Sequence, residues 1–266
     1  MNRELCSFYN LTGLPFTKEI QVENLHMLPS VDASLKKLKL LIEIKGIGTL
    51  TGKSGTGKSC IIRMLKSQLN TGLYKILYLC HSSIAILGFY VHLCNLLGLQ
   101  TSTRRGIMFR AIKERILTLN KSNRIHPILI LDEAHMLGND ILRDLRLLTN
   151  FEIDSFNALT VILCGQESLN QKFGLSILEP LANSISISVN VSSLPKEETF
   201  SYIEQRITAT GGMTNLFTKN ALNLIHQASG GVMRNINTIA NSALLKAYLS
   251  KHPQVENEHV KSVIER

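Results

Sequence analysis

Residues 52–59 read Gly52-Lys53-Ser54-Gly55-Thr56-Gly57-Lys58-Ser59, a G-x-x-x-x-G-K-[ST] spacing set between a short apolar run, Ile47 to Thr51, and an apolar helical pattern, Ile61 to Leu69. Glycines at these positions let the loop curl so that successive backbone N–H groups face phosphate oxygens, and the following helix N-terminus adds a favourable partial charge. Lys58 is then placed to hold the β- and γ-phosphates and Ser59 to ligate Mg²⁺ through its hydroxyl. The stretch Gly52 to Ser59, with Cys60 after it, is the expected nucleotide-binding segment. A chance glycine-rich turn would not come with a strand before it and a helix after it.

Downstream, Ile128-Leu129-Ile130-Leu131-Asp132-Glu133 is an apolar buried-strand pattern ending in two carboxylates. In combination with the loop, Asp132 is expected to hold Mg²⁺ through its water shell, and Glu133 to polarise an attacking water as general base. Neighbouring side chains on a strand face opposite ways, so the two carboxylates should not share one role. Asp132-Glu133-Ala134-His135 also spells the box of a helicase class, but such helicases need two α/β domains. His135 reads as a structural histidine at the strand end.

Further β-branched runs lie at Ile76 to Cys80, Leu159 to Cys164 and Ile185 to Val191, with helical patterns near Ile84–Leu97 and Gly106–Asn120 between the second and third strands. That alternation argues for a parallel sheet with crossover helices. Beyond Pro195 only helical patterns remain, roughly Pro195–Thr210, Thr218–Ser229, Met233–Leu249 and Glu256–Ile264, broken at Gly211-Gly212 and Gly230-Gly231. The expected organisation is an αβα domain over 1–194 and a helical domain over 195–266.

The composition fits a folded chain: 44% hydrophobic and 18% charged residues over 266 exclude a disordered or collagen-like polymer. Five scattered cysteines without a Cys-x-x-Cys pair indicate thiols in a reducing compartment. No secretory signal is evident, and the apolar stretch Ile84 to Leu99 is interrupted by His92 and Asn95, so the expectation is a cytoplasmic protein without a membrane partner.

Taken together, these motifs resemble the AAA+ ATPases of the ExeA-like group, which includes transposon-encoded ATPases similar to TnsC and, more distantly, MuB. The resemblance runs through Phe8-Tyr9-x-Leu11-x-x-x-Pro15-Phe16, the phosphate loop, Ile130 to Leu137, Leu145 to Phe151, Val161 to Leu169 and Ser229 to Asn237. It implies an AAA+ P-loop NTPase with a five-stranded parallel sheet in an αβα sandwich and a small all-helical lid. It also implies ATP and Mg²⁺ as cofactors, and assembly into rings or helical filaments. Gln166 matches the polar sensor of the γ-phosphate, or is an exposed loop residue. Arg234 matches the second sensor, on the lid, or makes a surface ion pair. Pro15 and Phe16 match residues that flank adenine, or simply pack the N-terminal segment.

Where relatives carry an arginine entering the fifth strand, this chain has Asn183-Ser184-Ile185. If that arginine was the finger, hydrolysis should be slow or another arginine must act in trans, Arg143 and Arg146 being the candidates unless they pair with Asp140 and Asp144.

The formal charge is +9, and residues 101–124 carry seven basic side chains against Glu114 alone, two-thirds of the surplus in under a tenth of the chain. In the resembling transposition ATPases this turn follows the DNA backbone. Thr103, Arg104 and Arg105, then Arg110 and Lys113, are therefore expected to contact duplex phosphates independently of sequence. The alternative is a solvated basic helix face. Lys36, Lys37 and Lys39 read as a surface helix. The expected function is an ATP-dependent regulator of transposition that assembles on double-stranded DNA and recruits a separate transposase. The alternatives are an ExeA-like ATPase for secretion-channel assembly and a slow nucleotide switch.

Overall fold

The computed structural model describes residues 2–17, 27–80 and 85–265. In chain order the elements begin with α1 (Asn2–Phe8), α2 (Pro29–Ile44), β1 (Ile47–Thr51), α3 (Lys58–Gln68), β2 (Tyr74–Leu79), α4 (Ile86–Leu97) and α5 (Arg105–Lys121). They continue with β3 (His126–Leu131), α6 (Asn139–Thr149), β4 (Thr160–Gly165), the short α7 (Ser168–Lys172) and α8 (Glu179–Ala182), and β5 (Ile185–Asn190). The last four are α9 (Lys196–Thr208), α10 (Lys219–Ser229), α11 (Met233–Leu249) and α12 (Asn257–Ile264). The chain divides into two compact units, one of Ser34–Ser54 with Ile61–Val191, the other of Met1–Ala33, Gly55–Cys60 and Ser192–Arg266.

The first unit is built on a parallel sheet of order β2-β3-β4-β1-β5. Every residue of β1, β3 and β4 is buried, which explains why those runs are apolar without alternation: both faces of the three inner strands are covered. One layer comes from α4, α5 and α6. Met108, Ile112, Ile116 and Leu119 recur at three- and four-residue steps on α5 and are buried with Phe89, Leu93 and Leu97 of α4 and Ile141, Leu145 and Leu148 of α6, against Leu129, Leu131, Val161 and Leu163. On α2, Leu41 sits where a side chain on Gly48 would be, so that glycine lets α2 approach β1.

The strand positions follow the sequence pattern, but β2 and β3 each begin two residues before the apolar runs, at Tyr74 and His126. Tyr74 pairs with His126, and Lys75 with Pro127. His126 is buried because both ring nitrogens are satisfied: Nδ1 faces Asn120 Oδ1 at 3.0 Å and Nε2 faces Thr160 Oγ1 at 2.8 Å. Helix α4 begins at Ile86; Ile84 of the expected helix lies outside the described residues.

The second unit packs α9 to α12 with the N-terminal segment. Tyr9 donates its hydroxyl to the His252 carbonyl at 2.9 Å, and the Thr12 N–H donates to Thr210 O at 2.8 Å. Arg206 of α9, buried, donates from Nε to Pro15 O (2.6 Å) and from Nη2 to Thr17 O (2.7 Å), with Tyr202 Oη beside Nη1 at 2.9 Å. The N-terminal residues thus group with the helices and not with the sheet, unlike the 1–194 division expected above. Long-range hydrogen bonds decide this, and they leave no periodic trace in the sequence. Helix α10 starts on a Thr218 cap to the Ala221 N–H and ends at Gly230 and Gly231, both left-handed.

Candidate nucleotide site

In the sheet unit, Thr51 pairs with Gly165 and Leu131 with Leu163, so β1, β3 and β4 end along one edge. Gly52, Asp132 and Gln166 each follow the last residue of one of those strands. The carboxyl edge of a parallel sheet is where such folds bind ligands.

Asp132 is buried, and both carboxylate oxygens are engaged: Oδ1 accepts the Glu133 N–H at 2.9 Å and Oδ2 accepts the Tyr78 hydroxyl at 2.6 Å. Burial and the neighbouring Asp132 carboxylate push the Tyr78 phenol far above its ordinary range, so it stays a donor. Sequence pattern gave no reason to single out Tyr78, an edge-strand tyrosine 54 residues away. Glu133 departs from the strand: its φ of 53° is left-handed, and a short turn of helix, Ala134–Met136, starts at once. The expectation that alternation separates the two carboxylates therefore needs correction, since the backbone reverses at Glu133 and a strand's alternation no longer applies.

His135 holds more than the strand end. Its Nδ1 lies 3.3 Å from the Gln166 backbone N–H and 3.4 Å from Glu133 Oε2. Gly165 makes this possible, because a Cβ there would come within 3.1 Å of the His135 nitrogen and 3.2 Å of Nδ1.

In the helical unit, Gly55 (φ 84°) and Gly57 (φ 102°) adopt left-handed backbone, and α3 begins directly after at Lys58, followed by Ser59 and Cys60. A Cβ on Gly55 would lie 2.7 Å from Arg234 Cβ, and one on Gly57 would lie 2.6 Å from Met233 Sδ. The Arg234 N–H donates to Gly55 O at 3.1 Å, which joins the start of α11 to the phosphate loop. Lys58 and Thr56 are buried. Two left-handed glycines, a lysine at the first helical position and a hydroxyl after it are the donor set a triphosphate requires, and the loop has no room for side chains at the glycines. The loop residues fit the phosphates of ATP, and Ser59 in this unit and Asp132 in the other are each oxygen donors of the kind Mg²⁺ takes.

Phe16 is buried edge-on against Phe217, ring centroids 6.0 Å apart, and Pro15 is held through its carbonyl by Arg206. Both are packed in the helical unit.

The basic segment is less uniform than its sequence. Thr103, Arg104 and Arg110 are exposed. Arg105 instead donates from Nη2 to Asp144 (2.7 Å to Oδ1) with its guanidinium 5.6 Å from the centre of the Tyr90 ring, while Tyr90 donates to Asp144 Oδ2 at 2.6 Å. Lys113 donates to the Asn150 carbonyl and lies over the Phe109 and Phe151 rings, and burial lowers its pKa. Lys121 pairs with Glu152. Two of the five expected phosphate contacts, Arg105 and Lys113, therefore have intramolecular partners.

The local pairing with Asp140 and Asp144, the alternative to a trans role for Arg143 and Arg146, does not form for Arg146. Arg146 forms a two-pronged pair with Asp154 (3.1 and 2.5 Å), which holds that carboxyl below its usual range, while Asp144 belongs to Arg105 and Asp140 accepts the Ile141 N–H. Arg143 is exposed. Ser184, at the expected finger position, donates its hydroxyl to Pro180 O at 2.7 Å.

Residues 42–173 match the family model described as an AAA domain. The fold is that of an AAA P-loop NTPase. The chain is 31% identical over 244 residues to general secretion pathway protein A of Aeromonas hydrophila, covering 91% of this chain and 44% of that protein. It thus spans less than half the length of that relative. Among solved structures, Cdc6p of Pyrobaculum aerophilum aligns with a TM-score of 0.68 at 17% identity, over 91% of this chain and 67% of that one. ORC1 of Aeropyrum pernix, solved in complex with DNA, gives 0.68 at 16% identity over 93% and 67%. The Thermotoga maritima Holliday junction branch migration motor RuvB gives 0.60 at 18% over 88% and 68%. Among the described residues no helix is long and apolar enough to cross a membrane.

Proposed function

We propose that this chain is an ATP-hydrolysing AAA+ module of the ExeA-like kind, acting in the assembly of a secretion apparatus. The carrying observation is the left-handed Gly55/Gly57 loop that runs into α3; the parallel sheet, whose β3 and β4 are followed by Asp132, Glu133 and Gln166, supports the same reading on its own. The likeness to general secretion pathway protein A favours the secretion reading over the transposition reading suggested by shared motifs, which do not distinguish the two.

In this proposal the loop N–H groups and Lys58 bind the phosphates, and Ser59 and Asp132 hold Mg²⁺. The metal, when bound, neutralises charge developing on the phosphate oxygens. Glu133 takes the proton of the attacking water, Gln166 reports on the γ-phosphate, and Arg234 on α11 senses the nucleotide. Pro15 and Phe16 flank adenine. Self-assembly brings Arg143 to a neighbouring subunit, in place of the finger absent at Ser184, and turnover in the unassembled chain is slow. Five free cysteines support a reducing, cytoplasmic setting.

The test is a nucleotide-binding and phosphate-release assay. Lys58→Ala should lose nucleotide binding, whereas Glu133→Gln should bind ATP and lose turnover; normal hydrolysis by Glu133→Gln would remove its assigned role.

A second reading, duplex DNA as a partner with a transposase recruited in turn, is favoured by one observation: Arg104 and Arg110 stay exposed within the most basic stretch of the chain. ATP-stimulated retention of duplex DNA, reduced by Arg104→Ala with Arg110→Ala, would support it. Retention unchanged by that pair would exclude this surface.

A further inference from the structure

We propose that His135 is a positioning residue that couples the Glu133 carboxylate to the end of β4 through a single ring nitrogen. The inference rests on the reading of Glu133 as general base. His135 Nδ1 lies within reach of two groups with opposite requirements. The Gln166 backbone N–H at 3.3 Å can only donate, so it needs the Nδ1 lone pair; the Glu133 carboxylate at 3.4 Å can only accept, so it needs a proton on Nδ1. One nitrogen cannot satisfy both at once. When Nδ1 is unprotonated the ring is bonded to β4 and repels the carboxylate oxygen. When Nδ1 carries hydrogen the ring holds Glu133 and leaves the Gln166 N–H without its acceptor.

The surroundings hold the ring and leave the Glu133 carboxylate as the movable part. The backbone on either side is fixed: Glu133 is held in its left-handed conformation by the Asp132 carboxylate on its N–H, the Met136 N–H donates to Glu133 O at 2.9 Å, and Lys172 Nζ donates to Leu137 O at 2.7 Å. The His135 side chain is only 11% exposed, whereas Glu133 is 44% exposed and has room to change rotamer. Gly165 leaves the space that the ring fills. A displacement of the β4 end at Gln166 would therefore reach Glu133 through the choice of bond at Nδ1, so that the carboxylate is released for proton transfer only in one arrangement of β4.

The test separates three replacements in the full chain. Asn presents an acceptor and a donor near the position of Nδ1, Gln presents them nearer Nε2, and Ala presents neither. His135→Ala and His135→Gln should lower kcat by about 10- to 100-fold, the cost of a misplaced catalytic group. Affinity for a fluorescent ATP analogue should stay within about twofold. His135→Asn should recover most of the rate. Gly165→Ala, which crowds the ring without altering it, should show the same loss of kcat at unchanged nucleotide affinity. Normal kcat in His135→Ala, or Asn no better than Gln, would overturn the inference while Glu133→Gln still loses turnover. If Glu133→Gln keeps turnover, the general-base reading fails and this inference falls with it.

Discussion

Arg105→Ala separates stability from ligand contact in the basic segment. Asp144 is 1% exposed, and its carboxylate is compensated by two groups, the Tyr90 hydroxyl and the Arg105 guanidinium. Removing the guanidinium leaves a buried anion with one neutral hydrogen bond. For a fully buried pair that loss costs about 3–5 kcal/mol, because the remaining charge has no partner. The Arg105 side chain is 44% exposed, so water can reach the place it vacates, and screening reduces the figure to about 1–3 kcal/mol. Urea unfolding followed by far-UV circular dichroism should show the midpoint falling by roughly 1 M, with the slope unchanged, if m is about 2 kcal/mol/M. Neutralising the stranded group in Arg105→Ala/Asp144→Asn should restore at least half of the loss. Arg104→Ala, one residue away and exposed, should stay within about 0.5 kcal/mol of the parent. An Arg105→Ala midpoint equal to the parent's, or no relief from Asp144→Asn, refutes the reasoning. A DNA-binding defect in Arg105→Ala would indicate a contact only if Arg104→Ala shares it.

Three other perturbations follow from single observations. Burial, then the charge of Lys45, lowers the His126 pKa to about 4, so the fold holds it neutral and its stabilisation is complete above the unfolded value near 6.5. That stabilisation, on the order of 3 kcal/mol, should be lost as pH falls from 6.5 to 4, and His126→Gln should flatten this acid limb in midpoint-against-pH measurements. Gly231→Ala places a Cβ 2.2 Å from Leu194 O at a φ of 71° and should cost about 2 kcal/mol or more in thermal unfolding. Gly230→Ala meets nothing within 4 Å and should cost about 1 kcal/mol, so equal losses at the two glycines would contradict the clash. Arg206→Met should raise amide exchange through residues 9–17 while leaving β1, β3 and β4 protected; unchanged exchange there would mean that the guanidinium does not hold the N-terminal segment.

The fold was legible because its determinants are local. Continuous apolar runs mark β1, β3 and β4 as buried on both faces, and the bounds of β1 and α11 coincide with their patterns. Gly230-Gly231 marks a helix end because left-handed backbone there favours glycine. Candidate site residues stand out where chemistry imposes spacing, as from Gly52 to Ser59 and at Asp132-Glu133. Pairing across distance was not. Tyr78 and Asp132, Arg105 and Asp144, and Arg206 and Pro15 are separated by 54, 39 and 191 residues, and nothing in the side chains themselves says who meets whom. The left-handed turn at Glu133 was hidden for another reason: a glutamate there costs about 1–2 kcal/mol in backbone strain, so composition argues against it. The phosphate loop and the Asp132-Glu133 pair could not choose between a secretion and a transposition role, since both are expected to serve the nucleotide in either.

Charge was the feature expected to make that choice, and the contacts change its weight. Of the seven cations in residues 101–124, Arg105 and Lys121 face carboxylates and Lys113 donates to a carbonyl beneath two aromatic rings. Arg104, Arg110, Arg115 and Arg124 remain as candidates for phosphate contacts, so this segment can neutralise about four phosphates per chain, against seven if every cation in it were available. Counterion release then bounds the dependence of log K on log salt for duplex DNA at a slope near −3.6 per bound chain instead of about −6. A steeper slope, measured per protomer by titration across 50–200 mM salt, would show that cations outside this segment carry the contact. A slope near zero would leave the segment a solvated helix face and remove the DNA reading.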